Sequence, residues 1–378
     1  MKPPATNRLR TRTSLGALLL LLAVGFDFVP SLWSQPSHSG KPSPTDAASL
    51  TRTIVSPHLE QTIVKGNNVL WCGTFQLAWN EACQLTGGDL RFTSTNPLVT
   101  VLNQHSFTKE SLDDASYVAM AGFVRDGIHE KIKKAVEAKF HGLFQPDFIP
   151  ERSLTPHARD LMTYACLYKN LRFPTPFERL DNTLRFGGMD VPAFGLGSYK
   201  ASLEQMYPQL LILDYQSEDD FIIELKTKSD GDRLILAKLQ PQATLADTLT
   251  NVASRILGKS IETATSGDLL SVPRIKLDIT RQYTELEGLH LIPKDTTVAV
   301  DLNVGSAVQN TKFELDENGV KLKSEAHMTF ACSKSAQPIP KHKMIFDKPF
   351  LILMQRQGAK APYFALWVDN PEILVSWK

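Results

Sequence analysis

The chain has 378 residues, with 41 Lys and Arg against 40 Asp and Glu, a net charge of +1. A near-neutral balance with no basic block beyond the first dozen residues gives no electrostatic footprint for a nucleic acid. The four cysteines form no zinc-like spacing, and no metal or cofactor motif stands out.

Lys2, Arg8, Arg10 and Arg12 precede a short apolar run, Leu15 to Phe26, closed by Asp27. A basic start and a greasy segment this short predict a signal peptide over residues 1–34, cut near Ser34-Gln35, rather than a comfortable membrane span. Leu32-Trp33-Ser34 matches the small-x-small cleavage pattern poorly, so an uncleaved anchor is the alternative. Residues 35–53, opening "QPSHSGKPSPTDAA", read as a Ser/Pro-rich linker too polar for a core. One domain is expected from residue 54 to 378, in a secreted or cell-envelope protein with no other membrane span.

Residues 74–86 and 109–141 read as helix, the second divided at Gly127. Over 128–141 Lys131, Lys133, Lys134 and Lys139 are offset by Glu130 and Glu137. If one helix carried both Cys72 and Cys83, they would lie about 16 Å apart, beyond the ~7 Å Cα limit of a bridge. Disulfides among other pairs are allowed by export, with buried thiols as the plainer reading.

Beyond about residue 160 the pattern turns to strands: "LLILDY" (210–215), "FIIELKT" (221–227) and "RLILAKLQ" (233–240), the last two flanking "KSDGD". A helix is expected over 244–257, with Thr244 as N-cap and Gly258 after its end. Strands then resume as "SVPRIKLDI", "TTVAVDLNV", "TKFEL", "VKLKSEAHMTF", "MIFDKPFLILMQ" and "APYFALWV". Helices first and then many non-repeating strands predict an α+β domain.

Catalytic chemistry is hard to find. His129-Glu130 opens like a zincin motif, but Lys131, Ile132 and Lys133 follow with no second histidine at helical spacing. Gly195-Leu196-Gly197-Ser198 lacks the order of a nucleophile elbow. The expectation is a non-enzyme with no cofactor and no metal.

The stretch "KFELDENGVKLKSEAHMTF" (312–330) places Glu314, Asp316, Asn318, Gly319 and Glu325 as in a calcium loop. Its flanks alternate with period two. Val320, Leu322, Ser324, Ala326, Met328 and Phe330 share one face, and Lys321, Lys323, Glu325 and His327 the other. A calcium loop needs flanking helices, so strand–turn–strand or a movable hinge remains.

From about Ala158 to Pro371 the order of motifs resembles the serpins. "MIFDKPFLILMQRQGAKAPYFALWVDNP" (344–371) is similar to their C-terminal signature. "TKFELDENGVKLKSEA" resembles the strand ending in Glu-x-Gly from which the reactive loop departs. "FIIELKTKSDGDRLILAKLQPQATLADTL", "LLSVPRIKLDI" and "YACLYKNLRFPTPFE" resemble the family's central hairpin and helix, its Pro-basic strand and its Trp…Pro-Phe strand.

The resemblance implies three β-sheets with roughly eight or nine helices, and a long loop near the C-terminus between Gly319 and Phe346. It implies a monomer whose partner is a serine or cysteine protease that cuts this loop. The freed part then enters the main sheet as a new strand and distorts the acyl-linked protease. The hinge would comprise Glu317, Gly319, Val320, Leu322, Ser324 and Ala326, with the scissile bond near Ser333-Lys334.

In place of the inhibitors' run of small residues stands Val320-Lys321-Leu322-Lys323-Ser324-Glu325. Cys72-Gly73-Thr74, Gln309 and Tyr164 replace three residues at the opening of the sheet. A working inhibitor and a non-inhibitory relative that serves as a binding or structural envelope protein both follow from the resemblance.

Overall fold

The computed structural model describes residues 43–143, 146, 160–197, 203–292, 294, 302–321 and 341–376. Contacts gather Pro44–Lys378 into one compact unit. Its first residues, at the end of the stretch read as linker, are already structured. Thr45 and Asp46 pair in parallel with Ile279 and Thr280, and Asp46 caps a short turn over Ala47–Ser49. The leader lies outside the described residues. Among the described residues no helix is long and apolar enough to cross a membrane.

Among the described residues, three multi-stranded sheets and two two-stranded ribbons make up the β part. The eight-stranded sheet carries the apolar runs of the sequence. Asp220–Leu225, Asp232–Lys238, Phe350–Arg356, Phe364–Val368 and Asn68–Cys72 lie side by side in that order. Leu234, Leu351, Ile352 and Trp367 are fully buried, as the continuous apolar runs of a sheet covered on both faces require. A four-stranded sheet joins Lys343–Ile345, Leu269–Pro273, Ala193–Leu196 and Glu178–Arg179. Pro273-Arg274 is a crossing point. The strand before it belongs to this sheet, and Ile275–Gln282 after it belongs to the five-stranded sheet.

That five-stranded sheet has the order Thr45–Asp46, Ile275–Gln282, Val308–Asp316, Gly319–Lys321, Asn170–Arg172. The segment "MIFDKPFLILMQ", expected as one strand, is two: Phe346–Pro349 breaks it, since proline cannot donate to a ladder. The described end of "TTVAVDLNV" forms only an isolated bridge, Asn303 to His290.

Four α-helices occur among the described residues: Thr74–Leu85, Pro97–Leu102, Ile128–Phe140 and Leu245–Ile256. The eight or nine implied by the resemblance are therefore not found there. Helix Leu245–Ile256 starts as expected, with Thr244 Oγ1 accepting from Asp247 N and Gly258 left-handed beyond its end.

The helix expected over 109–141 is corrected. Tyr117–Phe123 is a strand paired along its length with Leu161–Leu167, and helix begins only at Ile128 after left-handed Gly127. The sequence "YVAMAGF" has local helix formers, but a partner strand some forty residues on overrides them. Ile128, Ile132, Val136 and Phe140, spaced four apart, seat the helix on Val118 and Cys166 of that ribbon. Burying each such side chain stabilises by roughly 1.5–3 kcal/mol.

Candidate functional site

The candidate site is the turn Asp316-Glu317-Asn318-Gly319 and the short strand that leaves it. Val308–Asp316 and Gly319–Lys321 pair antiparallel, with Asp316 opposite Gly319, Leu315 opposite Val320 and Glu314 opposite Lys321. As far as Lys321 the stretch is strand, turn and strand, and the calcium-loop reading falls because the chain enters the turn as the strand Val308–Asp316 and not as a helix. Asp316 Oδ1 accepts from Asn318 N at 2.8 Å, the local bond that makes Asp-x-Asn a turn former.

Gly319 has no alternative. Its φ is +134°, and a Cβ built there would stand 2.2 Å from the Leu171 carbonyl oxygen and 2.8 Å from Arg172 Cα.

The turn is fixed from outside as well. Phe177 N donates to Glu317 O at 2.8 Å and Phe173 N to Asn318 O at 3.0 Å. Phe173 and Phe177 meet edge to face with their ring centroids 4.9 Å apart, and Phe194 packs against both. The Glu317 carboxylate is buried between two guanidinium groups. Arg179 Nε donates to Oε1 at 2.7 Å, and Arg274 Nε lies 3.4 Å from Oε2. Arg274 is the residue of the Pro-basic strand at the crossing between two sheets, so this ion pair ties the turn to that junction.

Past the turn the chain is wedged. Gly319, Val320 and Lys321 also pair antiparallel with Arg172, Leu171 and Asn170. Val320 is 1% exposed, between Leu315 and Leu171 on the core face. Of the hinge residues expected from the sequence, Glu317, Gly319 and Val320 thus meet at one point. Leu322, Ser324, Ala326, Ser333 and Lys334 lie outside the described residues.

Below this wedge no described strand joins the two walls. Val308–Phe313 on one side and Leu161–Leu167 on the other share no backbone hydrogen bond among the described residues. The core face of the first edge carries Gln309, Thr311 and Phe313, all buried. Thr311 Oγ1 has no hydrogen-bond partner among the described residues.

Two of the three sheet-opening positions come together at the foot of this slot. Gln309 Nε2 donates to Cys72 O at 3.0 Å and to Thr74 Oγ1 at 2.9 Å, while Tyr283 OH donates to Gln309 Oε1 at 2.7 Å. Burial pushes the Tyr283 phenol up, so it stays a neutral donor. Tyr164, the third position, packs on the other side, in the cluster beneath helix Ile128–Phe140. Cys72, Cys83 and Cys166 are free thiols, and Cys332 lies outside the described residues.

The chain re-enters at Lys341 in a different sheet. His342 N and Nδ1 both bond Asp268 Oδ1, at 2.9 and 3.0 Å. Lys343–Ile345 then runs parallel to Leu269–Ser271. The buried ammonium of Lys238 holds Ile345 O at 2.9 Å and Asp347 Oδ1 at 2.6 Å.

Sequence reasoning missed a second buried pair beside the wedge. Lys169 Nζ donates to Asp232 at 2.9 Å, and Ser229 Oγ and Tyr363 OH complete the carboxylate at 2.8 and 3.0 Å. Burial and the Asp232 charge push the Tyr363 phenol up, so it too remains a donor. No local pattern announces a pair from elements so far apart in the chain.

No protein-family model and no curated protein matches the chain. Solved structures similar to it include Serpin48, a highly specific serpin of the insect Tenebrio molitor, at 14% identity and TM-score 0.44, covering 80% of this chain and 91% of that one. A serpin from the trematode Schistosoma haematobium, at 14% identity and TM-score 0.46, covers 81% and 94%. Thyroxine-binding globulin in complex with thyroxine, at 11% identity and TM-score 0.44, covers 82% and 93%.

Proposed function

We propose that the chain is an exported serpin-like protein that inhibits a serine or cysteine protease. Its segment beyond Gly319 acts as bait and, once cut, as an added strand of the five-stranded sheet. The observation that carries this reading is the wedge: Gly319–Lys321 is paired on both sides, at the head of two edges that share no backbone hydrogen bond below it among the described residues. A strand that starts between two such edges has its next partners already laid out.

Continued without a slip, the register sets Leu322 opposite Phe313, Ser324 opposite Thr311 and Ala326 opposite Gln309, all on the face of Val320. The apolar and small set of 320–330 would then face the core and Lys321, Lys323 and Glu325 the other side. Ser324 would offer the unpartnered Thr311 hydroxyl a hydrogen bond. The driving force is the pairing of exposed backbone and the burial of that apolar face, withheld until the loop is cut.

Incubation with trypsin-like and subtilisin-like enzymes should give an SDS-resistant covalent complex, with the cut near Ser333-Lys334 and, for a trypsin-like enzyme, after Lys334. Nicking without a complex refutes inhibition.

A non-inhibitory binding or structural role is the second reading, favoured by the bulk and charge of Val320-Lys321-Leu322-Lys323. Bulky side chains slow strand entry, and a protease that is released before entry completes is not trapped.

A further inference from the structure

We propose that residues 44–50 and the segment 370–375 together guard the outer edge of the five-stranded sheet, and that this edge, once freed, pairs with a second copy of the chain. The inference is independent of strand entry, which concerns the other side of Val308–Asp316.

Ile275–Gln282 has Val308–Asp316 along its inner side. Its side chains alternate: Ile275, Leu277 and Ile279 are buried in the core, and Lys276 is exposed. A strand with one apolar face and a free edge is a template for pairing with another chain.

Two segments meet its outer side. Leu374 forms an antiparallel bridge with Ile275, and Val375 N donates to Arg274 O at 3.0 Å. Farther along, Thr45 and Asp46 run parallel to Ile279 and Thr280. Asp46 Oδ1 then accepts from Ala48 N at 2.9 Å, and the chain turns so that Ala47 and Leu50 pack on the main core.

Glu372 ties the two segments together. Its carboxylate accepts from Thr51 N at 2.8 Å, Arg52 N at 3.1 Å and Thr53 Oγ1 at 2.6 Å. Asn370, itself buried, donates from Nδ2 to Arg52 O at 2.8 Å and accepts from Glu372 N at 2.9 Å. A ladder of two exposed residues is weak alone. Held this way, it meets the edge at an effective concentration that a separate chain does not reach.

A second copy is the occupant the edge fits. Edge pairing is made by backbone, and every copy brings the same eight-residue strand. Two identical edges pair antiparallel about a two-fold axis, which closes the assembly without a further partner.

The test compares the full chain with its Thr45→Pro/Asp46→Pro variant, which deletes both backbone donors of the short strand and the Asp46 cap. Both side chains are exposed, so the core is untouched. In dilute solution the amides of 276–281 should exchange about tenfold faster in the variant than in the parent. At rising concentration the variant alone should dimerise by light scattering, with those amides protected again. Glu372→Gln, which loosens the tie and leaves the short strand intact, should act in the same direction and serves if the proline variant folds poorly.

Equal exchange in parent and variants overturns the guard. Faster exchange in a variant that stays monomeric overturns pairing with a second copy. Dimers in which 276–281 remain unprotected overturn it as well, since they would form through another surface.

Discussion

Gly319→Ala tests whether the wedge is held by backbone contact. The new Cβ would stand 2.2 Å from the Leu171 carbonyl oxygen, a backbone atom that cannot swing aside, at a φ of +134°. A non-glycine residue in such a region costs about 1–3 kcal/mol before any clash. Against this stands the free energy of the wedge itself. Burying Val320 contributes roughly 1.5–3 kcal/mol, and each ladder hydrogen bond about 0.5–1.5 kcal/mol. Ordering each residue takes back about 1–2 kcal/mol.

The balance is a few kcal/mol at most, so the substitution should detach Gly319–Lys321 rather than unfold the protein. Detachment also caps the loss of global stability. Hydrogen exchange at the Val320 and Lys321 amides should therefore accelerate about 10–100-fold, while Tm falls by only a few degrees. Unchanged protection at Val320 would refute the close approach to Leu171.

Glu317→Gln removes the charge between Arg179 and Arg274 and should destabilise by about 1–3 kcal/mol in urea unfolding. Ile132→Ala, at a fully buried position under helix Ile128–Phe140, should cost about 2–5 kcal/mol and loosen that helix from its ribbon, read by exchange at Val118 and Cys166. Burial alone would raise the Glu372 carboxyl. Hydrogen bonds from Thr53 Oγ1, Thr51 N and Arg52 N outweigh it and hold the group below its ordinary 4.5. A depressed carboxyl stabilises above its unfolded value and loses that contribution as pH falls through the folded one. Acid titration of the parent should show stability falling below about pH 4.5, and Glu372→Gln should flatten part of that fall. Cysteines at Thr311→Cys and Ser324→Cys should cross-link only after loop cleavage if the register continues, and a pair shifted by one residue should not.

The turn at 316–319 was legible because its signals are local: Asp and Asn that bond their own backbone, a glycine, and alternating flanks. So was the start of helix Leu245–Ile256, where one threonine caps the next turn. What escaped depends on distant partners. Tyr117–Phe123 reads as helix until Leu161–Leu167 is beside it. Nothing near Val320 tells that Leu171 closes its other side. The buried pairs Lys169–Asp232 and Arg274–Glu317 join residues that only the crossing of sheets brings together. The Cys72–Thr74 and Gln309 positions, singled out through the serpin resemblance, do meet, because Val308–Asp316 runs across the start of helix Thr74–Leu85.

Thermal unfolding before and after a single cut within residues 322–340 probes the proposed strand entry most directly. A protein that accepts its own severed segment should melt at a sharply higher temperature than the intact chain. An equal or lower melting temperature after the cut would mean that the edges at Val308–Phe313 and Leu161–Leu167 take no such strand.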